Sequence, residues 1–213
     1  DPAPAALAAA VRVAAQAVLH SRTPRPGPVH INARFRKPLE PVSVPGPEPF
    51  SDHIDALWAL GAPQLFPALP SVDPRAIDAL AAACARSPRG LIVCGPAHCG
   101  DDPTALRDAV IGLSQATGFP IWAEATSGIR FGGSPFVCGA FDAFLRDAPT
   151  RKSLAPDLLI ELGGPPTSSA YASYLQDHPG CLRAVVAPHG WNDPAGGARI
   201  LIFSSPIDVC TRL

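Results

Sequence analysis

Four stretches of this 213-residue chain place chemically capable side chains at spacings that invite a mechanism. The first is Cys94 to Asp102, CGPAHCGDD. Cys94, His98 and Cys99 are metal-ligating types. A structural zinc site takes four ligands, usually as two separated pairs, and no second pair follows. A buried cysteine beside a loop histidine is the plainer reading. The same stretch spaces Gly95 and Gly100 as a phosphate loop does. Such a loop continues into Lys and Ser or Thr, and here Asp101 and Asp102 follow instead. Carboxylates at a helix start satisfy its dipole and repel phosphate. Capping by Asp101 or Asp102 is therefore expected, and no G-x-G-x-x-G supports a dinucleotide. The second stretch, GGSPF around Ser134, lacks the glycine two residues after the serine that a nucleophile elbow requires.

The third stretch is Ser127-Gly128-Ile129-Arg130. An arginine in a loop after a strand can grip a carboxylate through two parallel hydrogen bonds. It can equally be solvated or salt-bridged. The fourth is Thr167-Ser168 at a helix start, where free amides and hydroxyls form an anion site by geometry. Ordinary capping explains the same residues. Ser127, Arg130, Thr167 and Ser168 are the candidate substrate or effector contacts.

These residues need strands to hold them. Leu158 to Leu162 is a short apolar run stopped by Gly163 and Gly164 and followed by a Pro-Pro-Thr-Ser-Ser helix start. Such a run suits a parallel strand covered on both faces. Leu91 to Cys94, Pro120 to Ala123, Leu182 to Ala187 and Ile200 to Phe203 repeat the pattern, giving five strands. Between them run amphipathic stretches with Ile77, Leu80 and Cys84, then Leu106, Val110 and Leu113, on one face. Cys138 to Arg146 reads as helical. Strands alternating with helices predict an α/β fold, a three-layer Rossmann-like open parallel sheet, doubly wound. Open sheets of this kind bind ligands beyond the carboxyl ends of their strands.

Ahead of this domain lie an alanine-rich helix over Ala5 to His20 and a short strand over Gly27 to Asn32, GPVHIN. A helix and a strand alone cannot bury their apolar faces. They read as the tail of a preceding domain. Pro38 to Pro74 holds nine prolines and reads as a linker with one helical turn near His53 to Leu60.

The totals bound the rest. Net charge is −1, from 17 basic and 18 acidic residues, so nothing marks a nucleic-acid or acidic-membrane partner. The six cysteines are scattered without paired spacing, which suits a reducing compartment. No methionine occurs, and the chain starts inside a helical pattern, so a piece of a longer polypeptide is expected. The apolar opening is broken by Arg12 and Gln16 and is too polar to span a membrane.

Several segments, in order, resemble one family. Gly27 to Pro41 (GPVHINARFRKPLEP) is similar to the segment that closes the N-terminal domain of 2-succinyl-5-enolpyruvyl-6-hydroxy-3-cyclohexene-1-carboxylate synthases. Ser127 to Arg130 (SGIR), Phe141 to Arg146 (FDAFLR), Pro156 to Ser168 (PDLLIELGGPPTS) and Asp193-Pro194 resemble that family's central domain. Arg34 and Lys37 stand where the family usually has proline and glutamate, and Ser169 where many members have lysine.

The resemblance implies a cytoplasmic thiamine-diphosphate transferase of menaquinone biosynthesis, working with Mg2+ or Mn2+. Such an enzyme decarboxylates 2-oxoglutarate and adds the succinyl unit to isochorismate, the cofactor supplying the carbanion chemistry. It implies a three-domain parent that is a dimer or tetramer. Residues 1–41 would end its pyrimidine-binding domain, 42–73 would be a Pro-rich linker, and 74–213 the central domain. The family's activating glutamate and its GDG…N motif have no counterpart here, so no catalytic, cofactor-binding or metal residue is expected in this chain, and the piece alone should be inactive. The resemblance also implies inhibition by a naphthoate product bound near this domain, as in some relatives. The alternative is a central domain that holds FAD or ADP, as in acetolactate-synthase-like thiamine enzymes.

Overall fold

The computed structural model describes residues 4–34, 37, 46, 51–61, 63–66, 71–98 and 100–213. The chain divides into two compact parts, Asp1–Leu69 and Pro70–Leu213. In the second, a six-stranded sheet carries everything else. Its strands are β1 (Gly90–Cys94), β2 (Ile121–Ala123), β3 (Val137–Cys138), β4 (Leu158–Leu162), β5 (Leu182–Val186) and β6 (Ile200–Ile202). All pair in parallel, in the order β3-β2-β1-β4-β5-β6. The chain winds outward from β1 to β3, then returns to β4 on the other side of β1. The reversal between β1 and β4 is where such sheets offer a crevice.

β1 and β4 are buried at every position. This is why they read as continuous apolar runs. Alternate residues feed two cores. Ile92, Ile121, Ile160, Ala184 and Ile202 pack with Leu80, Leu106, Val110, Leu113 and Val209. Those come from α3 (Pro74–Arg86), α4 (Pro103–Thr117) and α8 (Pro206–Arg212). On the other face Leu91, Val93, Trp122 and Leu159 pack with Phe141, Leu145, Tyr171 and Tyr174. Those belong to α5 (Phe141–Leu145) and α7 (Ser169–Asp177), beside the short α6 (Ala148–Ser153). Each fully buried large side chain contributes about 1.5–3 kcal/mol.

The helix ends follow from local chemistry. Asp102 caps α4, accepting from Thr104 N at 2.9 Å and Ala105 N at 3.3 Å. Gly118, left-handed at φ 75°, closes the same helix. Two expectations are corrected here. Cys138 to Arg146 is not one helix. Val137–Cys138 pairs with Ile121–Trp122 as edge strand β3, and only Phe141–Leu145 is helical.

The second correction lies in the first part of the chain, which holds α1 (Pro4–Arg22) and α2 (Ser51–Leu60). GPVHIN is not a strand. Val29 and Ile31 stand 43% and 50% exposed. No strand among the described residues pairs with them, and a strand without a ladder leaves its amides to water. The helical turn expected near His53 is ten-residue α2. Much of the proline-rich segment, including residues 38–45, 47–50 and 67–70, lies outside the described residues.

Candidate functional site

The crevice between β1 and β4 is closed by its own backbone. Gly95 N donates to Leu162 O at 3.1 Å, and Gly164 N to Pro96 O at 2.8 Å. A Cβ on Gly95 would stand 2.0 Å from Gly164 O, so only glycine permits this approach. The cavity left there measures about 10 Å³, less than one nucleotide ring needs. His98, from the loop after β1, meets His189, from the loop after β5, with ring centroids 4.6 Å apart. β4 lies between those strands in the sheet. Burial, then His189, holds the His98 imidazole below its ordinary range, against an opposing pull from Asp101. Cys94 is buried, and Cys99 lies outside the described residues. Among the described residues no three His, Cys, Asp or Glu side chains converge on a metal position.

One cavity gathers three of the four candidate residues. It measures about 240 Å³ and is lined by Glu124, Arg130, Phe141, Asp142, Thr167 and Ser168, with Ala125, Thr126 and Gly139. Glu124 directly follows β2 and Thr167 precedes α7. β2 and β4 flank β1, so the contact between them spans the end of β1. Glu124 Oε1 accepts from Thr167 N at 2.7 Å, Thr167 Oγ1 at 3.0 Å and Ser168 N at 3.2 Å. The helix start is an anion cradle, and the anion in it is the protein's own.

Ser168 is the N-cap of α7. Its hydroxyl accepts from Tyr171 N at 3.0 Å and donates to Asp142 Oδ1 at 2.5 Å. That bond, with the Arg146 guanidinium, holds the Asp142 carboxyl below the usual carboxylate range. Arg130 is exposed, and among the described residues its guanidinium forms no hydrogen bond or ion pair. It lies along Gly139, where a Cβ would meet Arg130 Nε at 2.5 Å. Its guanidinium carbon stands 5.5 Å from the Phe131 ring centroid. Ser127 is placed differently from the other three. It is 1% exposed, donates to Glu124 O at 2.6 Å and accepts from Ile129 N at 3.3 Å. It shapes the loop that presents Arg130 and offers nothing to the cavity.

Sequence reasoning missed a second buried network. Glu161, on β4, accepts from Tyr171 OH at 2.9 Å and from Arg183 Nε and Nη2 at 2.9 and 2.7 Å. Arg183, on β5, also stands 2.9 Å from Asp193 Oδ1, an ion pair without hydrogen-bond alignment. Asp193 Oδ2 in turn accepts from Ala198 N at 2.8 Å. These charges tie the loop between β5 and β6 to the sheet where no helix crosses. Burial pushes Glu161 above its ordinary range, against the pull of Arg183. The signal available was Arg183 inside an otherwise apolar strand.

The fold and the strand-end cavities define a doubly wound α/β domain with its ligand edge lined by acids. Comparison with known proteins narrows the class. No protein-family profile matches the chain. A 2-succinyl-5-enolpyruvyl-6-hydroxy-3-cyclohexene-1-carboxylate synthase of Sorangium cellulosum is 51% identical over 216 residues, spanning 100% of this chain and 35% of the relative. The synthases of Myxococcus xanthus and Geobacillus kaustophilus are 34% and 33% identical over 90% and 94% of the chain. The chain belongs to this synthase family and spans about a third of the length of the curated relatives it matches, 35%, 32% and 34%. A solved thiamin diphosphate-dependent enzyme from Mycobacterium smegmatis overlaps 71% of the chain and 29% of its own, at 14% identity and TM-score 0.49. That likeness is too loose to add to the topology.

Proposed function

We propose that this chain is the central domain of a thiamine-diphosphate synthase that joins a 2-oxoglutarate-derived succinyl unit to isochorismate, in menaquinone biosynthesis. The observation that carries this reading is 51% identity to such a synthase across the whole chain. In the proposal, residues 1–41 close a pyrimidine-binding domain, 42–73 link, and 74–213 form the central domain. The parent is a cytoplasmic homo-oligomer. No helix among the described residues is long and apolar enough to cross a membrane.

The residues present do not fit the diphosphate of thiamine diphosphate. The turn after β1 carries Asp101 and Asp102 where a diphosphate would need donors, and the Thr167 and Ser168 amides ahead of α7 already hold Glu124. The parent holds that cofactor and Mg2+ with residues outside this chain. The central domain's part is structural and regulatory. It braces its neighbours and offers Arg130 to a carboxylate of the substrate or of a pathway product. Nucleotide binding is the weaker reading, because the crevice is zipped by backbone hydrogen bonds.

Arg130→Ala in the full-length enzyme tests the assignment. A hydrogen-bonded charge pair is worth about 1.5–3 kcal/mol, so carboxylate ligands should weaken roughly 10- to 100-fold. Thiamine diphosphate affinity should not change. Unchanged kinetics and unchanged product inhibition would remove Arg130 from the site.

A further inference from the structure

We propose that the cradle at the start of α7 is a carboxylate subsite held closed by Glu124, and that a ligand's carboxylate binds by displacing it. The inference rests on the reading of Arg130 as a carboxylate anchor. Three donors, two of them backbone amides of the turn leading into α7, converge on a single oxygen of Glu124. That is the coordination of a bound anion, supplied from a strand end 43 residues earlier in sequence.

Glu124 holds this position imperfectly. It is 8% exposed, yet its Oε2 is buried and among the described residues has no hydrogen-bond partner. A buried acceptor left unpaired costs free energy, so the closed arrangement is not fully satisfied. Arg130 lines the same 240 Å³ cavity with its charge unpaired among the described residues. An incoming carboxylate finds there the counter-charge that Glu124 lacks. Exchange leaves α7 intact, because its own cap is Ser168, whose hydroxyl stays on Asp142 and the Tyr171 amide. The cavity volume suits a small organic carboxylate of benzoate size.

A self-occupied site lowers apparent affinity by the fraction of molecules in which it is open. The test titrates benzoate into the 213-residue chain and follows backbone amides by 15N–1H NMR. In the native chain, benzoate should shift the Thr167 and Ser168 amides. Glu124→Ala should bind roughly tenfold tighter through the same amides. Glu124→Gln keeps an oxygen on those amides while removing the charge, so it should tighten binding much less. It also serves if Glu124→Ala fails to fold. Arg130→Ala should weaken every variant.

Benzoate binding that leaves Thr167 and Ser168 unmoved would overturn the exchange, as would a Glu124→Gln gain equal to that of Glu124→Ala, which charge alone explains. In both cases a loss in Arg130→Ala would leave the anchor reading standing. No effect of Arg130→Ala, or no binding by any variant, would overturn the anchor and the exchange together.

Discussion

Glu124 and Arg183 show how acids and bases here are spent on the protein itself. Arg183 is 5% exposed and serves both Glu161 and Asp193. Arg183→Met would strand two carboxylates in a dry setting. Removing one partner of a buried pair costs about 3–5 kcal/mol, which urea unfolding would register as a large fall in midpoint. A loss under 1 kcal/mol would mean that water reaches the network. Ser168→Ala removes the α7 cap and the Asp142 contact together, so about 1 kcal/mol should be lost.

His98 gives a pH dependence whose sign follows from its surroundings. Its folded value lies below the ordinary 6.5, chiefly through burial and secondarily through His189. The unfolded chain therefore binds the proton more readily. The stability His98 contributes is present above pH 6.5 and is lost as pH falls through that value toward the lower folded one. His98→Gln should flatten the part of the stability profile that falls as pH drops below 6.5. An unchanged slope would assign the effect elsewhere.

The strands were readable where burial on both faces forced continuous apolar runs ended by glycine, as at Leu158 to Gly163. β3 was not readable, because two residues carry no periodicity and pair only through contact with β2. GPVHIN misled for the opposite reason. It has strand composition, but composition supplies no neighbouring ladder. Arg130, Thr167 and Ser168 were placed on the ligand edge by their position after strands. That they share one cavity depends on β2 and β4 flanking β1, an order no local pattern encodes. Glu124 escaped notice because a lone acid after a strand looks solvated until its partner 43 residues away is known. The glycine turns carry their own test. Gly95→Ala would force a Cβ to 2.0 Å from a backbone oxygen of the β4 turn. Overpacking against backbone should cost about 3 kcal/mol. A neutral result in thermal unfolding would show that the two loops part easily.

The molecule as a whole keeps the sheet of a nucleotide-binding domain and fills its anion-binding positions from within. Asp102 holds the α4 amides, Glu124 holds those of the turn into α7, and backbone bonds seal the crevice between β1 and β4. Such a domain suits the proposed structural and regulatory role, in which the cofactor is held elsewhere. The most direct measurement is an NMR titration of the chain with ADP and FAD, following the amides of residues 95–102 and 163–168. The account predicts no saturable shift at millimolar ligand. Micromolar binding with shifts centred on those two turns would contradict it.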